Sequence, residues 1–466
     1  MKIRHYRAKC FFAVVLSLAM LWAVFCVPAS GAAKCACGEV VQVWVDGFGQ
    51  ALFYDEGTPE EREAGIVRTD GILPSLKWVA LGGALSAAYR SWLPFAGGLG
   101  QVLYALMGHL RVDEHGRSVE PIGSHWVIDE DQAKGHRERP EFWFRYDFRM
   151  DPFELAAQLN EFIEALCRKT GHGRVAVTGH SEGANVVMTY LSAYGAKRLE
   201  TVILANGAWQ GLTLAGQLFT GELALDPRAI ANVIADQDSG NGVTRAAAEL
   251  LYASHLLDFT PALGEWIAGE LMDPLTRTTL VPLLCAMPAM WAFVPREYYG
   301  EALKVLGDDP KYDELKRRAG RYQREVMARG PALLRKAKAD GVKVAVLASY
   351  QFAPVPVTKD AFYHSDRLIE TARAAGGATI APLGQTLPPG ASKYRSPDGI
   401  IDAATCALPD RTWFVKYNWH NPDCMEGLRQ WIIHSEGVPS VFASPEFPQY
   451  LMRTEGGKAV PLAMNN

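Results

Sequence analysis

Short apolar runs separated by longer polar-and-apolar stretches of helical period set the rhythm of this chain. Six runs read as strands: Glu39 to Val45, Phe142 to Asp147, Arg174 to Gly179, Thr201 to Asn206, Val342 to Ser349 and Thr412 to Tyr417. They are β-branched and nearly continuous, the pattern of strands covered on both faces. After the second run, Asp151-Pro152 makes a cap and first-turn pair, and Phe153, Ala156, Leu159, Phe162 and Leu166 recur at helical spacing behind it. Ala184 to Tyr194 reads as another helix. Alternating strands and helices predict an α/β fold with a mainly parallel sheet and flanking helices.

Two stretches break the rhythm. Residues 71–110 are apolar almost throughout, interrupted mainly at Arg90 and Ser91. Residues 209–341 separate the fourth strand from the fifth, hold several helical pieces, and close on a basic helix pattern from Lys311 to Lys338. Insertions of this length carry structure of their own, and a helical cap or lid is expected. The basic stretch could face anionic lipid heads, though a solvated helix face is the plainer reading. Residues 34–466 read as one domain. An apolar fraction of 49% and a net charge of −4 suit a globular chain, and no basic surplus is present to neutralise phosphates, which argues against a nucleic-acid partner.

The first 33 residues have a different character. Lys2, Arg4, Arg7 and Lys9 precede an apolar run from Phe11 to Val27, and small residues follow to Ala33. That is the order of a secretory signal cleaved after Ala33, with an uncleaved anchor as the competing reading. Export allows disulfides, and the cysteines beyond the signal are even in number: Cys35, Cys37, Cys167, Cys285, Cys406 and Cys424. No second pair or histidine cluster follows Cys35-Ala36-Cys37 in sequence, so a disulfide tether is expected there rather than a metal site. Cys406 and Cys424 bracket the last predicted strand and are expected to pair. No metal and no organic cofactor is expected.

Chemistry enters at Gly179-His180-Ser181-Glu182-Gly183, on the seam between the third strand and the helix after it. A G-x-S-x-G turn at such a seam is a nucleophile elbow: the turn is so tight that glycines must flank the serine, and the helix start offers its free amides to an oxyanion. A serine nucleophile needs a histidine base and an orienting carboxylate, which follow it in the order acid, then histidine. His420, in the loop after the sixth strand, is the candidate base. His434, at a helix end, suits a dipole partner better, and His364 comes early for the order. Asp398 is the candidate acid, with Asp402 a close competitor and Asp366 a distant one. The backbone amides of Glu182 and of Phe48, in the Asp46-Gly47-Phe48-Gly49 loop after the first strand, are the candidate oxyanion donors.

Taken in order, these segments resemble the lecithin:cholesterol acyltransferase and lysosomal phospholipase A2 family of α/β-hydrolases. The family's P-G-x-x-G loop looks like Asp46 to Gly49 with Leu52 following; its Y-D-W-R, like Tyr146-Asp147-Phe148-Arg149; its G-H-S-x-G, like Gly179 to Gly183. Its P-W-x-G looks like Ala208 to Gly211, its G-D-G-T-V acid loop like Asp398 to Ile401, and its C-terminal histidine like His420. The resemblance spans residues 39 to 430. It departs at Asp46 for proline, Phe148 for tryptophan, Pro397 for glycine, Ile400 for threonine, and Glu182 beside the nucleophile. The resemblance implies a serine acyl hydrolase or acyltransferase acting on lipid esters through an acyl-enzyme, with peripheral membrane contact and no cofactor. The apolar stretch 71–110 would then meet the lipid surface. A soluble esterase or peptidase of the same fold, and a non-catalytic binding protein on that scaffold, are the rival readings; Glu182 is the best argument for the latter.

Overall fold

The computed structural model describes residues 35–463 apart from residues 36, 56, 59, 69–71, 223, 236–241 and 360–361, so the expected signal at residues 1–33 lies outside the described residues. Each of the six predicted strands forms: β1 Gln42–Val45, β2 Glu141–Phe144, β3 Val175–His180, β4 Leu199–Ala205, β5 Lys343–Tyr350 and β6 Thr412–Lys416. Two more follow near the C-terminus, β7 Tyr450–Arg453 and β8 Ala459–Pro461. They build one eight-stranded sheet in the order β8-β7-β6-β5-β4-β3-β1-β2. Every neighbouring pair is parallel except β7 with β8. The fold is thus α/β, with helices covering both faces of a mainly parallel sheet.

Strand residues alternate between the two faces. Val175, Val177, Val202, Leu204, Val344 and Val346 join one apolar cluster, while Ala176, Ile203, Ala205, Ala345 and Leu347 join another on the opposite side. Side-chain direction in a strand has a period of two, so a continuous apolar run serves both cores at once. This explains why the runs were not amphipathic.

The predicted helices are α4 Pro152–Thr170, capped by the Asp151 side chain on the Phe153 amide at 2.7 Å, and α5 Glu182–Tyr194. Before them lie α1 Ile72–Tyr89, α2 Leu93–Met107 and the short α3 Glu130–Lys134. Residues 209–341 form a run of short helices broken by 3₁₀ and π turns, around the fully buried Trp291. The basic stretch turns its charge on the chain's own carboxylates. Arg317 and Arg318 pair with Glu314, Arg318 also with Glu154, Lys336 with Asp340 and Lys338 with Asp410.

The expected Cys406–Cys424 disulfide does not form, and the sheet is the reason. Cys406 is buried in the cluster that takes Phe414 from β6, whereas Cys424 is buried in the cluster that takes Trp413 and Val415 from its other face. Cys35 and Cys37 are likewise unpaired as thiols, against the expected disulfide tether.

The Tyr146-Asp147-Phe148-Arg149 segment after β2 is a buried brace. Arg149 is fully buried; its Nε and Nη2 donate to the two oxygens of Asp147 at 2.8 and 2.6 Å, and Nη1 and Nη2 reach the carbonyls of Leu110 and Ile122. Tyr146 donates its hydroxyl to the Asp46 carbonyl at 2.6 Å, fixing the loop after β1. Arg149→Ala is expected to destabilise the fold by about 3–5 kcal/mol, because it strands the Asp147 carboxylate without its partner. Urea denaturation measures this; a loss below about 1 kcal/mol would remove the brace from the account of the fold.

Candidate active site

Parallel strands deliver their following loops to one edge of the sheet, and that edge is where α/β sheets carry their sites. Here β1 delivers Asp46 to Gly49, β3 delivers Ser181, and the segments after β5 and β6 deliver Asp366 and His420. Four stretches far apart in sequence meet because their strands are neighbours or near neighbours.

Ser181 sits at φ 54°, ψ −120°, a backbone conformation that L-residues avoid. Its neighbours explain how the turn is possible. A Cβ on Gly183 would lie 2.0 Å from the Val45 carbonyl oxygen, and one on Gly179 would lie 2.8 Å from that of Gly183. Only glycine fits at either place, as the tight-turn reading of the sequence requires. Ser181 holds the N-cap position of α5, yet its side chain makes no capping hydrogen bond. The hydroxyl is therefore not engaged as a helix cap.

The Asp46 to Gly49 loop lies directly against the serine. A Cβ on Gly47 would be 2.6 Å from Ser181 Cβ and 2.9 Å from its Oγ. Asp46, which stands where the family motif has proline, accepts from the Gly47 amide at 2.8 Å and from His180 Nδ1 at 3.1 Å. Burial works against its charge, but the His180 and Gly47 hydrogen bonds win and hold the carboxyl below its ordinary range. Phe48 is exposed, with its ring against Phe148 at 4.5 Å between centroids. The candidate donors thus have their surroundings: the Phe48 loop abuts the serine, and the Glu182 amide is at the first position of α5, where helices leave amides without internal partners.

The ring of His420 lies beside that of His180, the residue before the serine, with centroids 4.9 Å apart. Its Nδ1 donates to Asp366 Oδ2 at 2.7 Å. Asp366 is buried, and its other oxygen accepts from the amides of Leu368 and Ile369 at 3.0 and 2.7 Å, which locks the carboxylate's direction. Asn418 ties the His420 loop back to the end of β5, donating to Ser349 Oγ at 2.8 Å. Burial alone would lower the His420 pKa; the Asp366 charge and hydrogen bond outweigh it and raise the pKa above the ordinary 6.5.

Asp398 does not orient His420, contrary to the expectation from sequence. It accepts from Tyr350 at 2.9 Å and Ser396 at 2.6 Å, and pairs with Lys416 at 3.2 Å, tying the last residues of β5 and β6 together. Asp402 caps a turn through the Ala404 amide, and His434 is exposed at its helix end. Spacing could not separate Asp366 from Asp398, since the loops holding both begin at the same sheet edge. The hint in sequence was slight: Asp366 follows the strand next to that of His420, before a Leu-Ile pair able to offer two amides.

Glu182 is the remaining oddity. Its side chain is buried, with Oε2 unpartnered, and burial followed by the nearby Asp147 charge pushes its pKa well above the carboxylate range. Burial thus disfavours the charged form of the carboxyl beside the serine. No protein-family model matches the chain, and no curated protein matches it either.

Proposed function

We propose that this chain is a serine acyl hydrolase or acyltransferase of the α/β-hydrolase type, acting on lipid esters through Ser181, His420 and Asp366. The observation that carries the reading is the strained, glycine-flanked serine at the C-terminal end of a central strand, with a histidine packed on His180, the residue before it, and held through Nδ1 by a buried carboxylate. The serine–acid–histidine chain order of such enzymes is kept. Ser181 Oγ attacks the ester carbonyl while His420 Nε2 takes its proton; the amides of Glu182 and Phe48 stabilise the oxyanion. Collapse of the intermediate returns that proton to the departing alcohol and leaves an acyl-enzyme. Water or a second alcohol, deprotonated by His420, then releases the acyl group. Because burial disfavours the charged form of Glu182, the carboxyl beside the serine weighs less against catalysis.

The lipid part of the reading rests on α1 and α2. Helix α1 is inverted relative to an ordinary surface helix. Among its described positions the buried ones are Ser75, Gly82 and Ser86, while Leu76, Trp78, Leu81, Leu85 and Tyr89 are exposed. Small residues let the helices touch backbone to backbone: a Cβ on Gly82 would lie 2.4 Å from the Pro94 carbonyl oxygen, and one on Gly98 2.4 Å from that of Trp78. Close packing through small residues with apolar side chains outward is how helices pair in lipid. No helix among the described residues is long and apolar enough to cross a membrane, so the hairpin fits a peripheral, surface-lying contact. Trp92, itself exposed, touches Trp266 at 4.8 Å between centroids, and half-buried Phe95 packs with Leu275, so both also tie the hairpin to the cap.

Two measurements test the proposal. Incubation with mixed phospholipid vesicles, with and without an added alcohol, should yield free fatty acid or a new ester by mass spectrometry; absence of both, alongside turnover of short soluble esters, would favour the soluble-esterase reading. Leu81→Ser with Leu85→Ser and Tyr89→Ser should weaken vesicle binding at least about tenfold, given about 1.5–3 kcal/mol per large apolar side chain removed from water. Hydrolysis of a soluble ester should stay within about twofold, because surface substitutions of this kind hardly alter the fold. Equal loss of both would make the hairpin structural.

A further inference from the structure

At the opposite edge of the sheet from Ser181, four metal-ligating side chains converge from three separate segments. We infer that Cys35, Cys37, His136 and His172 form a structural site for a tetrahedral divalent cation of the zinc type. Their ligand atoms all lie within 4.8 Å of one another. His136 Nε2 is 3.3 Å from His172 Nε2 and 3.4 Å from Cys35 Sγ; Cys37 Sγ is 3.7 Å from His136 Nε2 and 3.3 Å from His172 Nε2. Zinc bonds of about 2.3 Å to sulfur and about 2.0–2.1 Å to nitrogen place tetrahedral ligands about 3.3 Å apart for two nitrogens and about 3.6 Å apart for nitrogen and sulfur. The observed separations cluster about those values.

The protonation pattern points the same way. His136 Nδ1 donates to the Ala133 carbonyl at 2.8 Å, which leaves a lone pair on Nε2. Two sulfurs and a second imidazole nitrogen crowd that one lone pair, and a hydrogen bond could satisfy a single one of them. A cation satisfies all four donors at once, and a backbone carbonyl behind a ligating imidazole is the usual way its orientation is fixed. Two cysteines and two histidines complete a four-coordinate shell, as in sites that hold a fold together rather than react.

Placement supports the structural role. Cys35 and Cys37 precede β1, His136 precedes β2, and His172 follows α4 and precedes β3. These three strands are adjacent in the sheet, so one ion would staple their entrances. Gly171, at φ 73°, ends α4 and turns the chain to present His172, and its carbonyl accepts from the Cys35 amide at 3.0 Å. The sequence hid this site because the histidines lie 99 to 135 residues beyond the cysteines they meet, and no local spacing relates the two pairs.

The test uses full-length protein without a histidine tag, purified in chelator-free buffer. About one zinc per chain is expected by plasma emission, and less than about a tenth of that in Cys35→Ser/Cys37→Ser. Exchange of the wild-type ion for cobalt should give the visible spectrum of a four-coordinate thiolate site, a readout that does not depend on any variant folding. Chelator should lower the wild-type melting temperature by roughly 5 °C or more while leaving that of the double variant unmoved. Soluble-ester turnover by the folded protein should be unchanged at temperatures below melting. A wild-type protein that neither carries zinc nor takes up cobalt overturns the site, as does peptide mapping that finds Cys35 and Cys37 joined as a disulfide.

Discussion

Ser181→Ala lowers ester hydrolysis by at least about a thousandfold and abolishes labelling by a fluorophosphonate probe, while the melting temperature stays close to that of the unsubstituted protein. The size follows from the role: removing the nucleophile of a triad costs more than three orders of magnitude, leaving only what binding and the oxyanion donors supply. The unchanged fold follows from the local structure. The hydroxyl makes no cap bond, and alanine adds nothing where the Gly47 backbone already presses against the side chain. Turnover of a chromogenic short-chain ester, with melting followed by circular dichroism, measures both. Residual activity above about a thousandth would remove Ser181 from the mechanism, because no triad enzyme keeps that much without its nucleophile.

Asp366→Asn lowers turnover by about 10⁴, the cost of losing the carboxylate that fixes the imidazole tautomer. Its pH signature separates orientation from general damage. Asp366 stabilises protonated His420, which is why the His420 pKa lies above 6.5 despite burial. The base must be neutral to take the serine proton, so kcat/KM is lost as pH falls through that raised pKa and is full above it. In Asp366→Asn the two larger raising influences are gone and only the Asp46 charge still opposes burial, so the acid limb of the residual activity moves to lower pH. Asp398→Asn, by contrast, loosens the tie among Tyr350, Ser396 and Lys416 and is expected to cost stability, with turnover within about tenfold because it touches neither His420 nor the serine. If Asp398→Asn proved the more damaging to kcat, the acid would be reassigned.

The six strands, the helices after β2 and β3, and the elbow were legible in the chain because each is set by local physics. Continuous β-branched runs can satisfy two apolar cores only as strands of a covered sheet, and Gly-x-Ser-x-Gly between such a run and a helix admits one backbone path. The proposed base could be narrowed to His420 because chain order leaves few histidines after the serine. The proposed acid could not, since Asp366 and Asp398 both lie in segments reaching the same sheet edge; the His420 imidazole with the Leu368 and Ile369 amides on one, and the Lys416 ammonium on the other, distinguish them once the chain is folded. The cysteines show the same division. From sequence, Cys406 and Cys424 look close and Cys35 and Cys37 look isolated. The sheet lies between the first two, and the order β3-β1-β2 carries two histidines to the second two. Sequence fixes what a segment can be when the governing contacts lie within a few residues; which distant groups share a hydrogen bond, an ion or a face is decided by strand order, which no local pattern encodes.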